Sequence, residues 1–586
     1  MDTSNNRTDS ESTITYRVIF LLCLVSLLLL FQGLGNRKLW GSEGRWAEVC
    51  REMFLTADFF HPIIGGEPYF DKPPLTYWFI AAISAASGAL NEWVVRLPSA
   101  IFGLVSLCAT IILGKRLWSA HVGLLAGWFL LTSYGFIFWS RTASADTENL
   151  AAITLCILWY WIRRDKINFV TFLVFYLIAF IGALTKGLTA VFVPIAAILP
   201  DLIMEKRWKV LYRSSHILAF AVSLVVYLSP FIYAAKTCPA DYNSSGLALV
   251  FQENFLRYFR PIDHRNPIYT YLYAVPLLVL PWAPLFVASL VGLLSIWKKL
   301  DGKIQWLIMA IAAIFVFFTL SGSRRDYYIL PITPLCAVLM AVFFTHIIDD
   351  KVSETRLWGI KIQKYFCMGM VLLEIILPFI LLALKTRDSF TFFVKLSISG
   401  IILGAAALAI WLIIQRYYTT SWMFTKEMRQ LAAMIAVTAV VYGGFFCWQQ
   451  NIVDKFRTEP LFIEEVRARV NGGSASNIGF FLKVDAGLLF YLNRKEPISI
   501  LKTAADWDKF LSTQTPKLVI IRSRDKEKIP ADYRGFLQKQ AYIIEKVQPW
   551  DSASSRREKW CAWIIEKNSA LSQSPSESQE NQNYAN

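Results

Sequence analysis

Residues 41–53 read GSEGRWAEVCREM and follow directly on the first long apolar run of the chain. The apolar residues of this stretch recur at helical spacing: Trp46, Val49, Cys50, Met53 and Phe54. This spacing predicts a helix with one apolar face, and its charged residues fall on the other face, as in helices that lie in a membrane interface. Ser42 suits the N-cap position, and Glu43 in the first turn suits the helix dipole. Taken alone, the stretch therefore predicts a capped interfacial helix beside a membrane span.

The composition of the whole chain is that of a membrane protein. Of 586 residues, 55% are hydrophobic and 17% are charged, whereas soluble domains carry about 25% charged residues. The net charge is +16, but the basic residues lie in short clusters between apolar runs and form no single patch. This distribution argues against a nucleic-acid partner and is the one that the positive-inside rule produces.

Thirteen apolar segments are long enough to be candidate spans, because a transmembrane helix needs about 20 mainly apolar residues. They lie near residues 17–36, 93–113, 120–140, 147–162, 167–185, 188–204, 214–234, 270–297, 304–320, 327–347, 365–385, 392–414 and 430–449. The first has no convincing cleavage site after it and is expected to remain as an anchor. The predicted fold class is an α-helical polytopic membrane protein.

The loop charges predict the orientation. Six basic clusters, from Lys115–Arg116 to Arg416–Arg429, fall on alternate loops and therefore on the cytoplasmic side if the N-terminus is inside. With an odd number of spans, everything after residue 450 then lies outside. Long outer loops are expected at residues 37–92 and 235–269.

Three units follow along the chain. Residues 1–449 are predicted to be the transmembrane module, residues 450–566 a small outer α/β domain, and residues 567–586 a polar, disordered tail. In the second unit, the segments FFLKV, LLFYL, KLVIIRS and AYIIEKV are predicted to be short strands between charged helices.

Charged residues collect on the outer side, where the positive-inside rule predicts few basic ones. The basic ones are Lys72, Arg141, Lys186, Arg257, Arg324 and Arg325, and the acids are Glu43, Asp71, Asp146 and Glu253. Some of them have a simpler interpretation: Asp71 and Lys72 could form a loop ion pair, and Lys186 could extend to the interface from a helix end. Together they favour an anionic lipid headgroup, because lysine and arginine bind phosphate and carboxylates serve as bases or metal ligands.

These motifs also resemble a known superfamily. SEGRWAEVCREM is similar to the DEGRYAEIAREM-type segment of the aminoarabinose transferases and protein O-mannosyltransferases, and YFDKPPLTYW resembles their FEKPP segment. LTKGLTA, HRNPIYTYLY followed by Pro281-Trp282, and YYILP match in order. The resemblance covers nearly the whole chain and implies the GT-C fold, with about 13 transmembrane helices and a C-terminal domain outside.

The resemblance implies a glycosyltransferase that takes a sugar from a polyprenyl phosphate. It implies donor-phosphate contacts for Lys72, Arg257, Lys186 and Tyr328, with Glu43 and Asp146 as candidate catalytic carboxylates. Ser42, Arg45, Asp71, Arg141, Arg324 and Arg325 are further candidates for the cavity. No cofactor is expected to be required. A divalent metal on Asp71, Glu253 and His264 is in doubt, because Asp71 is shorter than the family's glutamate.

Ser42 stands where the family has its proposed catalytic aspartate. Glu43 or Asp146 could supply the carboxylate, the acceptor could be a phosphate that needs no base, or transfer activity could have been lost. The expected donor is an undecaprenyl-type phosphate sugar, for example 4-amino-4-deoxy-L-arabinose, and the expected acceptor is lipid A or another envelope glycolipid. Transfer to protein, the joining of whole glycans and a lipid flippase are the alternatives. The expected location is a bacterial inner membrane, with the site on the periplasmic side.

Overall fold

The computed structural model describes ten ranges of the chain. They are residues 3–238, 266–345, 349–383, 390–417, 426–455, 457–471, 477–493, 498–512, 517–546 and 559–565. The N-terminal part is helical except for one short hairpin. Its elements are α1 (Thr3–Phe31), α2 (Glu43–Thr56), β1 (Ile63–Ile64), β2 (Glu67–Pro68), α3 (Leu75–Ser87), α4 (Glu92–Leu117), α5 (Ala120–Leu131), α6 (Tyr134–Ser140), α7 (Asp146–Arg163), α8 (Phe169–Lys186), α9 (Thr189–Met204), α10 (Ser214–Lys236), α11 (Thr270–Leu278), α12 (Ala283–Ser295), α13 (Gly302–Leu320), α14 (Thr333–Thr345), α15 (Asp350–Ala383), α16 (Phe390–Tyr417) and α17 (Lys426–Gly444).

Each of the thirteen predicted spans falls on one of these helices or on a bent pair of them. By length and composition, six helices of the described ranges can cross a membrane, or up to nine if each of three bent pairs is one span. Three shorter apolar helices accompany them. The chain is therefore a multi-pass membrane protein, while the number thirteen stays a prediction.

Short polar side chains cap the starts of several of these helices. Asn91, Asn168 and Asp301 each accept a hydrogen bond from the backbone N–H three residues later, at 2.9–3.0 Å for the first two and 2.8 Å for the last. These caps satisfy amide groups that the helix itself leaves free. They fix where α4, α8 and α13 begin.

Two of the bent pairs meet at their breaks. The α5–α6 pair bends by 68° and the α11–α12 pair by 112°. The Tyr134 amide donates to the Leu280 carbonyl at 2.7 Å, and the Trp282 indole N–H donates to the Thr132 hydroxyl at 3.0 Å. Backbone groups freed by a break need partners inside a membrane protein. Here the break between α5 and α6 and the break between α11 and α12 supply hydrogen-bond partners for each other.

Contacts join four of the basic segments in pairs at one end of the helices. Lys303 donates to the carbonyl of Leu117 at 2.9 Å, and Arg207 donates to the carbonyl of Arg164. The candidate site residues lie towards the opposite end, where α4 begins at Glu92. This grouping agrees with the alternation of loops expected from the sequence.

Helix α2 forms where the sequence places it, but its surroundings differ from the prediction. The rings of Trp46 and Tyr77 of α3 pack 4.7 Å apart, so protein covers the apolar face. Phe54 is 42% exposed, whereas Glu48 is buried and bound by Arg51 at 2.8 Å. The apolar face of α2 therefore packs on protein, while the position of the helix at the membrane interface stays a prediction. The predicted cap bond of Ser42 is also absent, since its side chain makes no cap hydrogen bond.

The C-terminal part contains a mixed five-stranded sheet. Its elements are α18 (Gln450–Asp454), α19 (Thr458–Asn471), β3 (Asn477–Phe481), α20 (Ala486–Leu492), β4 (Ser499–Leu501), α21 (Ala504–Ser512), β5 (Lys517–Arg522), α22 (Ala531–Gln540), β6 (Ala541–Glu545) and β7 (Trp560–Ile565). The strand order is β4-β3-β5-β7-β6, with β3 parallel to β4 and β5, and β7 antiparallel to β5 and β6.

The strand predictions for KLVIIRS and AYIIEKV are confirmed by β5 and β6, and FFLKV overlaps the end of β3. The strand prediction for LLFYL is wrong, because these residues form helix α20. The Asp485 side chain caps this helix by accepting from the Leu488 amide at 2.9 Å. An apolar run of this length fits a buried strand or a buried helix, and the acidic cap decides in favour of the helix.

The C-terminal part packs on α2. Gly44 and Gly487 bring the backbones of α2 and α20 together. The Tyr491 hydroxyl accepts from the Leu39 amide at 2.7 Å and donates to a Glu92 oxygen at 3.0 Å. The sheet region therefore supports the start of α2, the helix that carries the first candidate site residues.

Candidate active site

Glu43 is a carboxylate held by several hydrogen bonds at the end of the helices where the candidate site residues lie. Its Oε1 accepts from Arg96 Nε at 2.8 Å and from the Ala143 amide at 2.9 Å. Its Oε2 accepts from Arg96 Nη2 at 2.7 Å, and from Trp40 N and Arg37 Nη2 at longer distance. Burial opposes its charge, but Arg96, Arg37 and the Ala143 amide hold the pKa of Glu43 below its usual value. Glu43 is therefore an ionised carboxylate.

The bonds of Glu43 tie three parts of the chain together. They join the start of α2, helix α4 through Arg96, and the turn before α7 through Ala143. The Glu43 side chain is 1% exposed. Both oxygens are already occupied, so this geometry favours an anchoring role and argues against the catalytic role expected for Glu43. Ser42, one residue earlier, is exposed.

A second cluster surrounds Asp71. Its Oδ2 accepts from Arg45 Nη1 and from the Tyr69 hydroxyl, both at 3.2 Å, and its Oδ1 accepts from Lys72 Nζ at 3.2 Å. The side chains of Asp71, Arg45 and Lys72 are 31%, 28% and 17% exposed, so the cluster is accessible. Burial opposes the Arg45 charge, but Tyr69, Tyr77 and Asp71 raise the pKa of Arg45. The sequence prediction that Asp71 and Lys72 lie together at the surface agrees with this geometry.

A third cluster joins Asp146 and Lys186. Lys186 Nζ donates to Asp146 Oδ1, and the same ammonium lies 4.8 Å from the centre of the Tyr328 ring. The ring centre of Tyr327 lies 5.8 Å from the same ammonium, and the Tyr327 hydroxyl accepts from Arg325 at 2.8 Å. Residues far apart in sequence thus form a cage of one cation, one acid and two aromatic rings.

Two of the predicted arginines act on the backbone. Arg141 is 5% exposed and donates to the carbonyls of Leu29 and Gln32, each at 2.7 Å. Arg324 donates to the carbonyl of Asn266 at 2.8 Å and to those of Thr319 and Ser321. Their donors hold loops and helix ends in place, so these contacts favour a structural role for both.

Arg257, Glu253 and His264 lie outside the described residues. In the described ranges, no group of three or more histidine, cysteine, aspartate or glutamate side chains is arranged to hold a metal ion. The metal hypothesis rests on Asp71 together with two of those undescribed residues, so it stays a prediction.

Sequence reasoning missed three polar residues of this region. Arg96 pairs with Glu43, Tyr69 binds Asp71, and Glu148 is buried two residues after Asp146. Charged residues near the ends of apolar helices are costly and often functional. Arg96 and Glu148 are charged residues of this kind, so their positions near the ends of apolar segments could have been noticed in the sequence.

Comparisons with known proteins show which families the chain is similar to. The model of the family described as dolichyl-phosphate-mannose-protein mannosyltransferase matches residues 71–233. An undecaprenyl phosphate-alpha-4-amino-4-deoxy-L-arabinose arabinosyl transferase of Pseudomonas paraeruginosa is 27% identical over 458 residues, which cover 75% of this chain and 78% of that protein. The chain is related to the aminoarabinose transferase and protein mannosyltransferase superfamily. A relative of the same name from Pseudomonas savastanoi pv. phaseolicola is 28% identical over 375 residues, which cover 61% of this chain and 67% of that protein.

A solved structure confirms the fold class. ArnT from Cupriavidus metallidurans, solved bound to undecaprenyl phosphate, matches with a TM-score of 0.70 at 17% identity. The match covers 93% of this chain and 97% of that one. The fold expected from the sequence resemblance, GT-C with a C-terminal sheet region, is therefore the observed one.

Proposed function

We propose that the protein is a membrane glycosyltransferase that moves a sugar from undecaprenyl phosphate to an acceptor at the outer face of a bacterial inner membrane. The sugar is an amino sugar such as 4-amino-4-deoxy-L-arabinose, and lipid A is the first acceptor to test. The observation that carries the proposal is the pair of accessible lysine–carboxylate clusters, Asp71–Lys72 and Asp146–Lys186, in a chain whose relatives carry the arabinosyl transferase name.

Both lysines are suited to the donor phosphate. The side chains of Lys72 and Lys186 are 17% and 16% exposed, so a ligand can reach each ammonium although it is ion-paired with a carboxylate. Helix α3 begins just after Lys72 and packs against α8, which ends at Lys186. A phosphate can compete with a carboxylate for an ammonium, because both are anions that accept charge-assisted hydrogen bonds.

The proposed reaction is a direct displacement at the anomeric carbon. The bond from that carbon to the phosphate oxygen breaks as the bond to the acceptor oxygen forms, and undecaprenyl phosphate leaves with the electron pair. Lys72 and Lys186 stabilise the leaving phosphate, and Asp146 stabilises the positive charge that develops on the sugar. A phosphate acceptor is already ionised at neutral pH, so Ser42 in place of an acid is compatible with transfer.

The match of residues 71–233 to the protein mannosyltransferase family favours one other acceptor, a protein hydroxyl. A hydroxyl must lose its proton during attack, so this acceptor needs a base, and Asp146 is the available candidate. The experiment below includes both acceptors.

Transfer by the Lys72→Ala variant tests the proposal. The purified protein is given undecaprenyl phosphate carrying 4-amino-4-deoxy-L-arabinose, with lipid A or with a protein acceptor, and the products are weighed by mass spectrometry. Loss of a charged hydrogen bond to the phosphate should lower transfer about 10- to 100-fold. The matched control is Lys502→Ala, which removes an exposed lysine whose ion pair with Glu67 spans 3.7 Å. Full activity in Lys72→Ala would remove the phosphate assignment, and no transfer by the wild type to either acceptor would refute the proposed function.

A further inference from the structure

Glu148 is a buried carboxylate that neither the fold nor the proposed mechanism uses. It lies in the first turn of α7 and is 2% exposed. Neither of its carboxylate oxygens has a hydrogen-bond partner in the part of the chain that the structure describes. The backbone amide of Glu148 itself and the hydroxyl of Ser99 lie beside the carboxylate and favour its charge, but that hydroxyl donates to the carbonyl of Ser144 at 3.0 Å.

Three cations of the candidate site are already engaged, and one of them, Lys186, acts on the charge of Glu148. Lys186, its basic electrostatic neighbour, is bound to Asp146. Arg96 is bound to Glu43, and Arg141 donates to backbone carbonyls. A buried carboxylate without a partner is costly, and it must either take a proton or receive a cation from elsewhere.

Glu148 lies close to the Asp146–Lys186 cluster. It follows Asp146 by two residues in the same helical turn, and Asp146 and Lys186 both act on its charge. The next residue, Asn149, accepts from the hydroxyl of Thr189 at 3.2 Å, just beyond Lys186 on the following helix. The carboxylate of Glu148 therefore lies near Asp146 and Lys186, the groups assigned to the donor.

The proposed reaction brings few cationic groups to this place. The donor phosphate and an acceptor phosphate are anions, which a carboxylate repels. The amine of an amino sugar is a cation with three hydrogen-bond donors, and a carboxylate accepts such bonds at both oxygens. Resting on the proposed function, we propose that Glu148 is the specificity-determining residue that receives the amine of the donated sugar.

This role predicts how the enzyme chooses between sugars. An amine completes the hydrogen bonds of Glu148, whereas a sugar with a hydroxyl in that place leaves the carboxylate without a countercharge. A buried site built for one charged partner rejects an analogue that lacks it. The wild-type kcat/KM should favour the amino sugar by about 10- to 100-fold.

The test compares two donors, undecaprenyl phosphate carrying 4-amino-4-deoxy-L-arabinose and undecaprenyl phosphate carrying L-arabinose. In Glu148→Gln, kcat/KM for the amino sugar should fall about 10- to 100-fold, while kcat/KM for arabinose stays unchanged. Glu148→Met, which removes the polar group at similar volume, should lose the same preference and protects the test if the glutamine variant folds poorly. Glu205→Gln is the control, since Glu205 binds Arg164 at 3.3 Å among the basic loops at the other end of the helices.

Equal losses on both donors would overturn the inference, because they would indicate a structural role or stabilisation of the sugar cation in the transition state. Unchanged preference in both variants would also overturn it. A wild type that transfers neither sugar would refute the proposed function itself, which is a different outcome from either of these.

Discussion

Gly44→Ala tests the support of the candidate site by the C-terminal part. A Cβ at Gly44 would lie 2.4 Å from Gly487 Cα and 2.6 Å from Gly487 N. Carbon atoms in favourable contact are about 3.5–4.0 Å apart, so α2 and α20 must separate by about 1 Å. The obstacle is backbone, which cannot rotate away as a side chain can. Overpacking of this kind costs about 1–3 kcal/mol, which weakens the docking of the two helices about 5- to 150-fold.

Gly487→Ala is the matched control at the other side of the same contact. A Cβ at Gly487 would meet Asp485 Oδ1 at 3.3 Å and Gly44 Cα at 3.7 Å, so small side-chain shifts accommodate it. The two variants therefore add the same methyl group to the same interface with unequal expected effects.

Hydrogen exchange of the purified protein measures the effect. The Leu39 amide is the sensitive probe, because it donates to the Tyr491 hydroxyl of α20 at 2.7 Å. In Gly44→Ala, exchange should accelerate at Leu39 and along α20, and transfer activity should fall because α2 loses its support. Exchange in Gly487→Ala should match the wild type. Wild-type protection in Gly44→Ala, or greater loss in Gly487→Ala, would refute the reasoning.

Two other predictions concern ionised groups outside the clusters assigned to substrate. Arg96→Met leaves Glu43 buried without its main partner, which should destabilise the protein by about 3–5 kcal/mol. The thermal midpoint and the yield of folded protein should both fall. An unchanged thermal midpoint would contradict the anchoring role of Glu43. Burial opposes the charge of Asp58, but hydrogen bonds from Phe60 and His61 hold the pKa of Asp58 below its usual value. The stabilisation by Asp58 is therefore present above about pH 4 and lost as the pH falls through the lowered pKa. Fluorescence of Trp78, whose indole donates to the Phe59 carbonyl at 2.8 Å, should report this acid transition in the wild type and not in Asp58→Asn.

Much of the architecture could be predicted because it follows from local patterns. The thirteen predicted apolar segments all fall on helices, since a long apolar run forms a helix wherever backbone groups have no water to bind. The pairing of Asp71 with Lys72 was also accessible, because adjacent residues before two prolines have few other positions to occupy. The helix at LLFYL was missed, because five apolar residues carry no period that separates a strand from a buried helix.

The partners of the candidate residues depended on long-range packing. Asp146 and Lys186 both appear in the sequence as outer charges, but their contact and the ring of Tyr328 above the ammonium arise from the packing of separate helices.

By itself, the sequence determined that the chain is a multi-pass helical membrane protein with charged motifs gathered at one end, because hydrophobicity and loop charge act locally along the chain. Tertiary structure alone decided which carboxylates are already paired. Glu43 has its charge balanced by Arg96, an arginine 53 residues away, whereas Glu148 has no such partner among the described residues. Whether a buried charge is neutralised depends on what the fold places within about 3 Å of it, and no local pattern specifies that distance.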